Sequence, residues 1–182
     1  MNLPIDQKSL SVRDEFNPLM DLFLGARASF EMTVDFAIGK FLKTSHEQTH
    51  LITAGMMFGR RARLLADLVG HSDHPRKTEI LGAFNKLCGM SKWEIFVHSF
   101  LQPNREEGVH VLARSANGQF KTKSPGFTKA ELMDQLRAFA IAGSDFYIAL
   151  GVTDADIQSF GAAAERLSTK TGRDGRSLSA AE

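Results

Sequence analysis

The stretch Lys92-Trp93-Glu94-Ile95-Phe96-Val97-His98-Ser99 decides how this chain is read. It closes a helical pattern that the sequence predicts from about Pro75 to Leu101, with Ile80, Phe84 and Leu87 at helical spacing. His98 follows Leu87 by eleven residues, close to three turns, which puts it on or beside the apolar face with Glu94 one turn before it. An imidazole there changes charge near neutral pH, and a carboxylate at i−4 can hold its tautomer. The plainer alternative is a core histidine satisfied by a hydrogen bond.

Downstream of this stretch the period changes. After Pro103-Asn104, Val109, Val111 and Ala113 alternate with His110, Leu112 and Arg114. Ala116-Asn117-Gly118 then turns the chain into Gln119–Lys123, a pattern that predicts one short β-hairpin. Thr128-Lys129-Ala130-Glu131 is a capping box opening a helix over 129–150, with Leu132, Leu136, Phe139, Phe146 and Leu150 in its stripe. Thr153 and Asp156 start a last helix over 154–167. From Thr169 to the end the residues are small, polar and charged, and a disordered tail is expected over 169–182.

Upstream, residues 1–16 are weakly patterned and expected to form an arm. Asn17-Pro18 reads as a helix start, with Asn as cap and Pro at the first helical position. Leu22, Phe23, Ala26, Phe30, Val34, Ala37 and Phe41 repeat every three to four residues, while Met20, Leu24, Met32, Phe36 and Ile38 lie off that stripe. A helix apolar on more than one face is central in its domain or packed on another chain, a first hint of a dimer.

Thr44 and Ser45 offer a second start, with Glu47 or Gln48 placed for a capping box. His46-Glu47-Gln48-Thr49-His50 matches the short zinc-metalloprotease signature, in which two histidines at i and i+4 share a face and the glutamate activates water. A third protein ligand is lacking at the expected spacing, since Met56 stands there; His71, His74, Glu79 or Glu94 would serve only if the fold brought one close. The sequence therefore predicts no bound metal and no cofactor. The alternative is a polar, exposed helix start.

Gly55 and Gly59 bracket the next entry, and the amphipathic run Arg60-Arg61-Ala62-Arg63-Leu64-Leu65-Ala66-Asp67-Leu68-Val69 ends at Gly70. With Leu64, Leu65 and Leu68 inward, Arg60, Arg61 and Arg63 are expected to stand free and, with Arg76 and Lys77, to form a basic cluster. A solvated helix face explains the same residues.

Composition bounds the answer. A chain of 182 residues with 43% apolar and 24% charged residues is most simply one globular domain. The formal charge of +1 confines any nucleic-acid or membrane contact to a local patch. One cysteine, Cys88, excludes an intramolecular disulfide and suits a reducing compartment. The first residues lack an apolar signal region, and no run of about eighteen apolar residues occurs, so the expected location is the cytoplasm with no membrane contact.

The order of elements carries a resemblance. A long first helix comes before a helix entered through Phe58-Gly59-Arg60-Arg61. A helix ending in a polar-aromatic run and His98-Ser99 follows, then a hairpin and a closing helix. This resembles the HEPN superfamily of compact helical domains, as found in bacterial defence and toxin–antitoxin settings, over about residues 17–150.

The resemblance implies a homodimer in which an Arg four to six residues before a His, met by the same pair of the second protomer, forms a metal-independent endoribonuclease. Here only His98 carries over directly. Trp93 or Lys92 stands at the Arg position, and Glu94 or Trp93 where an Asn often follows. Lysine gives a phosphate a hydrated point charge in place of a planar fork, Trp93 can only stack a base, and Glu94 adds negative charge. The motif is degenerate, and many such domains bind or scaffold without catalysis.

The sequence thus predicts a mostly α, HEPN-like bundle over 17–168 with one hairpin. In its first functional reading the chain is an RNA- or nucleotide-handling homodimer, with His98, Lys92 and Glu94 in any chemistry. Arg60, Arg61, Arg63 and Trp93 would then contact nucleic acid. The second reading is a structural partner, such as the inert half of an antitoxin or defence complex, and the third a zinc protease through His46, Glu47 and His50.

Overall fold

The computed structural model describes residues 7–90, 99–103, 108–113 and 126–174. The chain is mostly α. Among the described residues the helices are α1 (Gln7–Leu42), α2 (His46–Thr53), α3 (Phe58–Gly70), α4 (Lys77–Met90), α5 (Lys129–Leu150) and α6 (Asp154–Asp174). Strands β1 (Ser99–Pro103), β2 (Gly108–Ala113) and β3 (Gly126–Thr128) form an antiparallel sheet in the order β1-β2-β3.

Helix α1 starts well before the Asn17-Pro18 boundary expected from the sequence, and Pro18 lies inside it. An internal proline forgoes one backbone bond and crowds the preceding turn, roughly 3 kcal/mol in an isolated helix. Burial of Phe16, Leu19 and Phe23 at three- to four-residue spacing offsets that cost. At the other end of the chain, α6 continues past Thr169 to Asp174, where a tail was expected.

The helix expected to run to Leu101 is described as far as Met90, residues 91–98 lie outside the described residues, and Ser99–Pro103, expected in part as its last turn, is extended. Phe100 pairs with Leu112 and Leu101 with Val111, so the aromatic and β-branched composition of this region follows its strand preference. The strand expected at 109–113 is present, with β1 and β3 as its neighbours. The turn at Ala116–Gly118 and the arm at 119–123 lie outside the described residues.

The boundaries are set by local chemistry. Lys43, at φ 56°, ends α1 in the left-handed region, and the Thr44 amide donates to the Gly39 carbonyl at 3.1 Å. Ser45 caps α2, with Gln48 completing the expected box. Thr128 with Glu131 opens α5, and Thr153 with Asp156 opens α6. Gly151, at φ 59°, makes the turn between those two helices.

The chain divides into two compact units. Residues 1–27 and 84–143 form the first, whose buried side chains include Phe16, Leu19, Phe23, Phe84, Leu87, Leu132 and Phe139. Residues 28–83 and 144–182 form the second. There Phe36 packs with Ile157 and Phe160, flanked by Met32, Tyr147 and Val152. Phe30 meets Phe58 and Phe146 edge-on, at 5.6 and 6.0 Å between ring centres. Phe36 and Ile38, the off-stripe residues that hinted at a second chain, are buried by their own chain. In the first unit Leu22 and Leu24 of the same helix remain exposed. No single helix among the described residues is long and apolar enough to cross a membrane.

Candidate functional site

The residues that carry the resemblance, Lys92, Trp93, Glu94 and His98, lie outside the described residues.

The three arginines of α3 part company. Leu65 and Val69 are fully buried, and Arg61 precedes each at four-residue steps, so the face that buries them carries Arg61 inward as well. Its Nη1 donates to Oδ2 of Asp35 at 2.8 Å and its Nη2 to Oε2 of Glu31 at 2.7 Å, with Arg61 and Asp35 side chains each only 14% exposed. Glu31 and Asp35 stand four apart on α1, so one guanidinium bridges both carboxylates. This corrects the expectation that Arg61 stands free for nucleic acid.

Arg60 and Arg63 are exposed and make no ion pair among the described residues. Arg76 is engaged too, donating to Glu79 and to the carbonyl of Ile148 at 2.7 Å. Lys40 donates to the carbonyl of Leu150 at 2.7 Å, so two cations satisfy carbonyls at the negative end of α5.

The His-Glu-x-x-His run is built into the packing of α2 on α6. The His50 ring stacks on Phe160 at 3.9 Å between centres, 25° from parallel, and its Nε2 donates to the Phe160 carbonyl at 2.8 Å. A carbonyl only accepts, so in the neutral ring the proton is on Nε2 and Nδ1 carries the lone pair. His46 stands edge-on to the same phenyl ring at 5.5 Å and tilted against Phe36 at 5.8 Å. Glu47 accepts from Arg166 at 2.6 Å, and this bond holds its carboxyl below the usual carboxylate range. Among the described residues no three His, Cys, Asp or Glu side chains are placed to share a metal ion.

A pocket of about 370 Å³ opens beside this clamp. Its polar wall is Asp35, His50, Thr53, Arg61 and Ser168, and Leu51, Met56 and Leu167 are among its apolar lining. Burial pushes the Asp35 carboxyl above its ordinary range, against the opposing pull of Arg61. Asp35 Oδ1 and Arg61 Nε are buried without a hydrogen-bond partner. This group is absent from the sequence-based expectations, although Glu31 and Asp35 are the charged residues in the largely apolar run from Phe30 to Ile38. Two acids on a buried face call for a cation, and that was the available signal. Compared with known protein families, with curated proteins and with solved structures, the chain matches none.

Proposed function

We propose that this chain is a HEPN-like, self-associating helical module that holds RNA or another phosphate-bearing ligand, with ribonuclease chemistry weak or absent. Arg60 and Arg63 carry the proposal: they are exposed one turn apart on α3, without an ion pair among the described residues. Unneutralised cations on a rigid helix suit a phosphate backbone, and binding through them weakens with salt. A long first helix and a helix entered at Phe58 are two of the elements on which the resemblance rests, while the run ending in His98 lies outside the described residues. Lys92 and Trp93 offer no guanidinium at the position upstream of His98, and this is what makes the chemistry weak or absent.

The test incubates structured and single-stranded RNA with wild type, Lys92→Ala, His98→Ala and Arg60→Ala/Arg63→Ala, with a metal chelator present. Salt-sensitive binding is expected, and on single strands the double variant should lower the salt slope by about 1.4. Cleavage lost in both Lys92→Ala and His98→Ala would overturn the weak-or-absent part. Absence of binding at low salt would overturn the RNA part. Sedimentation at micromolar concentration tests self-association.

A second reading, a non-catalytic partner of a defence or antitoxin protein, is favoured by Met57 and Leu51, which are 81% and 69% exposed at and beside the α2–α3 connection. Apolar side chains that bare suit a protein surface better than RNA. Protein capture that survives Arg60→Ala/Arg63→Ala but not Met57→Asp distinguishes it.

A further inference from the structure

The second unit carries a pocket apart from Arg60 and Arg63, on which the proposed function rests. The pocket beside the His50 clamp is within the range of about 300–1,000 Å³ that small-molecule sites occupy. Two of its polar groups, Thr53 and His50, have their donor hydrogen already committed. Thr53 gives its hydroxyl hydrogen to the Thr49 carbonyl at 3.1 Å, so its oxygen can only accept. His50 gives its Nε2 proton to the Phe160 carbonyl, which leaves Nδ1 as an acceptor. Asp35 receives one bond from Arg61 through Oδ2, while its Oδ1 and the Arg61 Nε are both buried without a partner.

Arg61 does not draw an anion. Its outer nitrogens already face two carboxylates at 2.7 and 2.8 Å, so an incoming anion would meet two negative charges for one positive. A cation is drawn by the one negative charge left over from Glu31, Asp35 and Arg61, in surroundings where charge acts strongly. Leu51, Met56 and Leu167 supply apolar wall for the rest of the molecule.

From these observations we propose that the pocket binds a small organic ammonium: a protonated amine, directed toward the Asp35 carboxylate and the acceptors of His50 and Thr53, on a compact apolar body packed against Leu51, Met56 and Leu167.

Three probes with one apolar body separate the terms: benzylamine, benzyl alcohol and benzoate, titrated near neutral pH into the isotope-labelled full chain and followed by NMR. Benzylamine is expected to shift the signals of His50, Thr53 and Ser168 and to bind about tenfold more tightly than benzyl alcohol, with benzoate weakest. Asp35→Asn should bring the amine and the alcohol to similar affinity. Because that substitution alters a buried ion pair and can prevent folding, Ala164→Met is the second variant; it fills the pocket from α6 without touching a charge. Loss of the benzylamine shifts in Ala164→Met supports the site, and their persistence overturns it. Equal affinity for amine and alcohol in the wild type, tighter benzoate, or no saturable shift with any probe overturns the ammonium assignment.

Discussion

Gly39 is where a single methyl group interrogates the packing of α1 on α2. A Cβ there would run into Thr49 Oγ1 and lie 3.0 Å from its Cγ2 and 3.1 Å from its Cβ. Thr49 cannot turn aside cheaply. It is 1% exposed, its hydroxyl donates to the Ser45 carbonyl at 2.9 Å, and it shares a second hydrogen bond of 2.9 Å with the Thr44 hydroxyl. Overpacking of this kind costs about 1–3 kcal/mol, and displacing the hydroxyl adds about 1 kcal/mol. Replacing a mid-helix glycine by alanine returns about 1 kcal/mol through helix propensity. Gly39→Ala should therefore destabilise by about 2 kcal/mol, which for a chain of this size lowers Tm by roughly 4–8 °C. Urea unfolding followed by circular dichroism reads the free energy, and a thermal melt reads Tm. Thr49→Ala removes Oγ1 and Cγ2 together, so in that background Gly39→Ala should cost at least about 1 kcal/mol less. A Gly39→Ala chain as stable as wild type, or strict additivity with Thr49→Ala, would refute the close approach.

Arg61→Met should destabilise the fold by about 3–5 kcal/mol, because it leaves Asp35 and Glu31 on a buried face without their bridge; Asp35→Leu in the same chain should recover part of the loss in urea midpoint. Lys43→Gly should stabilise by about 0.5–1 kcal/mol, since Lys43 holds φ 56° at the end of α1, and an unchanged or lower urea midpoint would count against it. Among the described residues, two depressed carboxyls contribute to the acid limb of the stability profile. Glu47 is held low by the bond from Arg166, and Asp156 by the amide and then the hydroxyl of Thr153. A carboxyl whose folded pKa lies below its unfolded one stabilises above the unfolded value, and that contribution fades as pH falls through the folded one. Asp35, raised by burial, has the opposite sign: its contribution is complete below the unfolded value and fades as pH rises through the folded one. Asp156→Asn should accordingly lose less Tm than wild type between about pH 5 and about pH 3, and equal losses would contradict the assignment.

What was legible in the sequence was local. Ser45-x-x-Gln48, Thr128-x-x-Glu131 and Thr153-x-x-Asp156 each mark a helix start that the structure has, because a cap needs only residues three apart. Pro18 misled for the converse reason: its preference for a first turn is local, while the burial of Phe16, Leu19 and Phe23 that carries the helix through it is tertiary. The same competition decides Ser99–Pro103. Its helical spacing from Leu87 was a continuation of period, whereas its pairing with Gly108–Ala113 depends on a segment further along the chain.

The candidate site shows the same division at the level of single side chains. Two histidines four apart must share a helix face, and the sequence says so; whether that face meets a metal or a phenyl ring depends on Phe160, 110 residues beyond His50. Stacking and a carbonyl bond from that one residue account for His50, and the edge contact accounts for His46, so a spacing suited to metal chemistry serves equally to clamp α2 to α6. Arg61 was more accessible to reasoning. Counting four residues from Arg61 gives Leu65, and four more gives Val69; once that line is taken as the buried one, Arg61 cannot also stand in solvent. An arginine forced inward needs carboxylates, and the only acids in the apolar run of α1 are Glu31 and Asp35. The pairing was therefore derivable from two helix faces considered together. Read separately, α3 offered only a basic patch and α1 only a stripe.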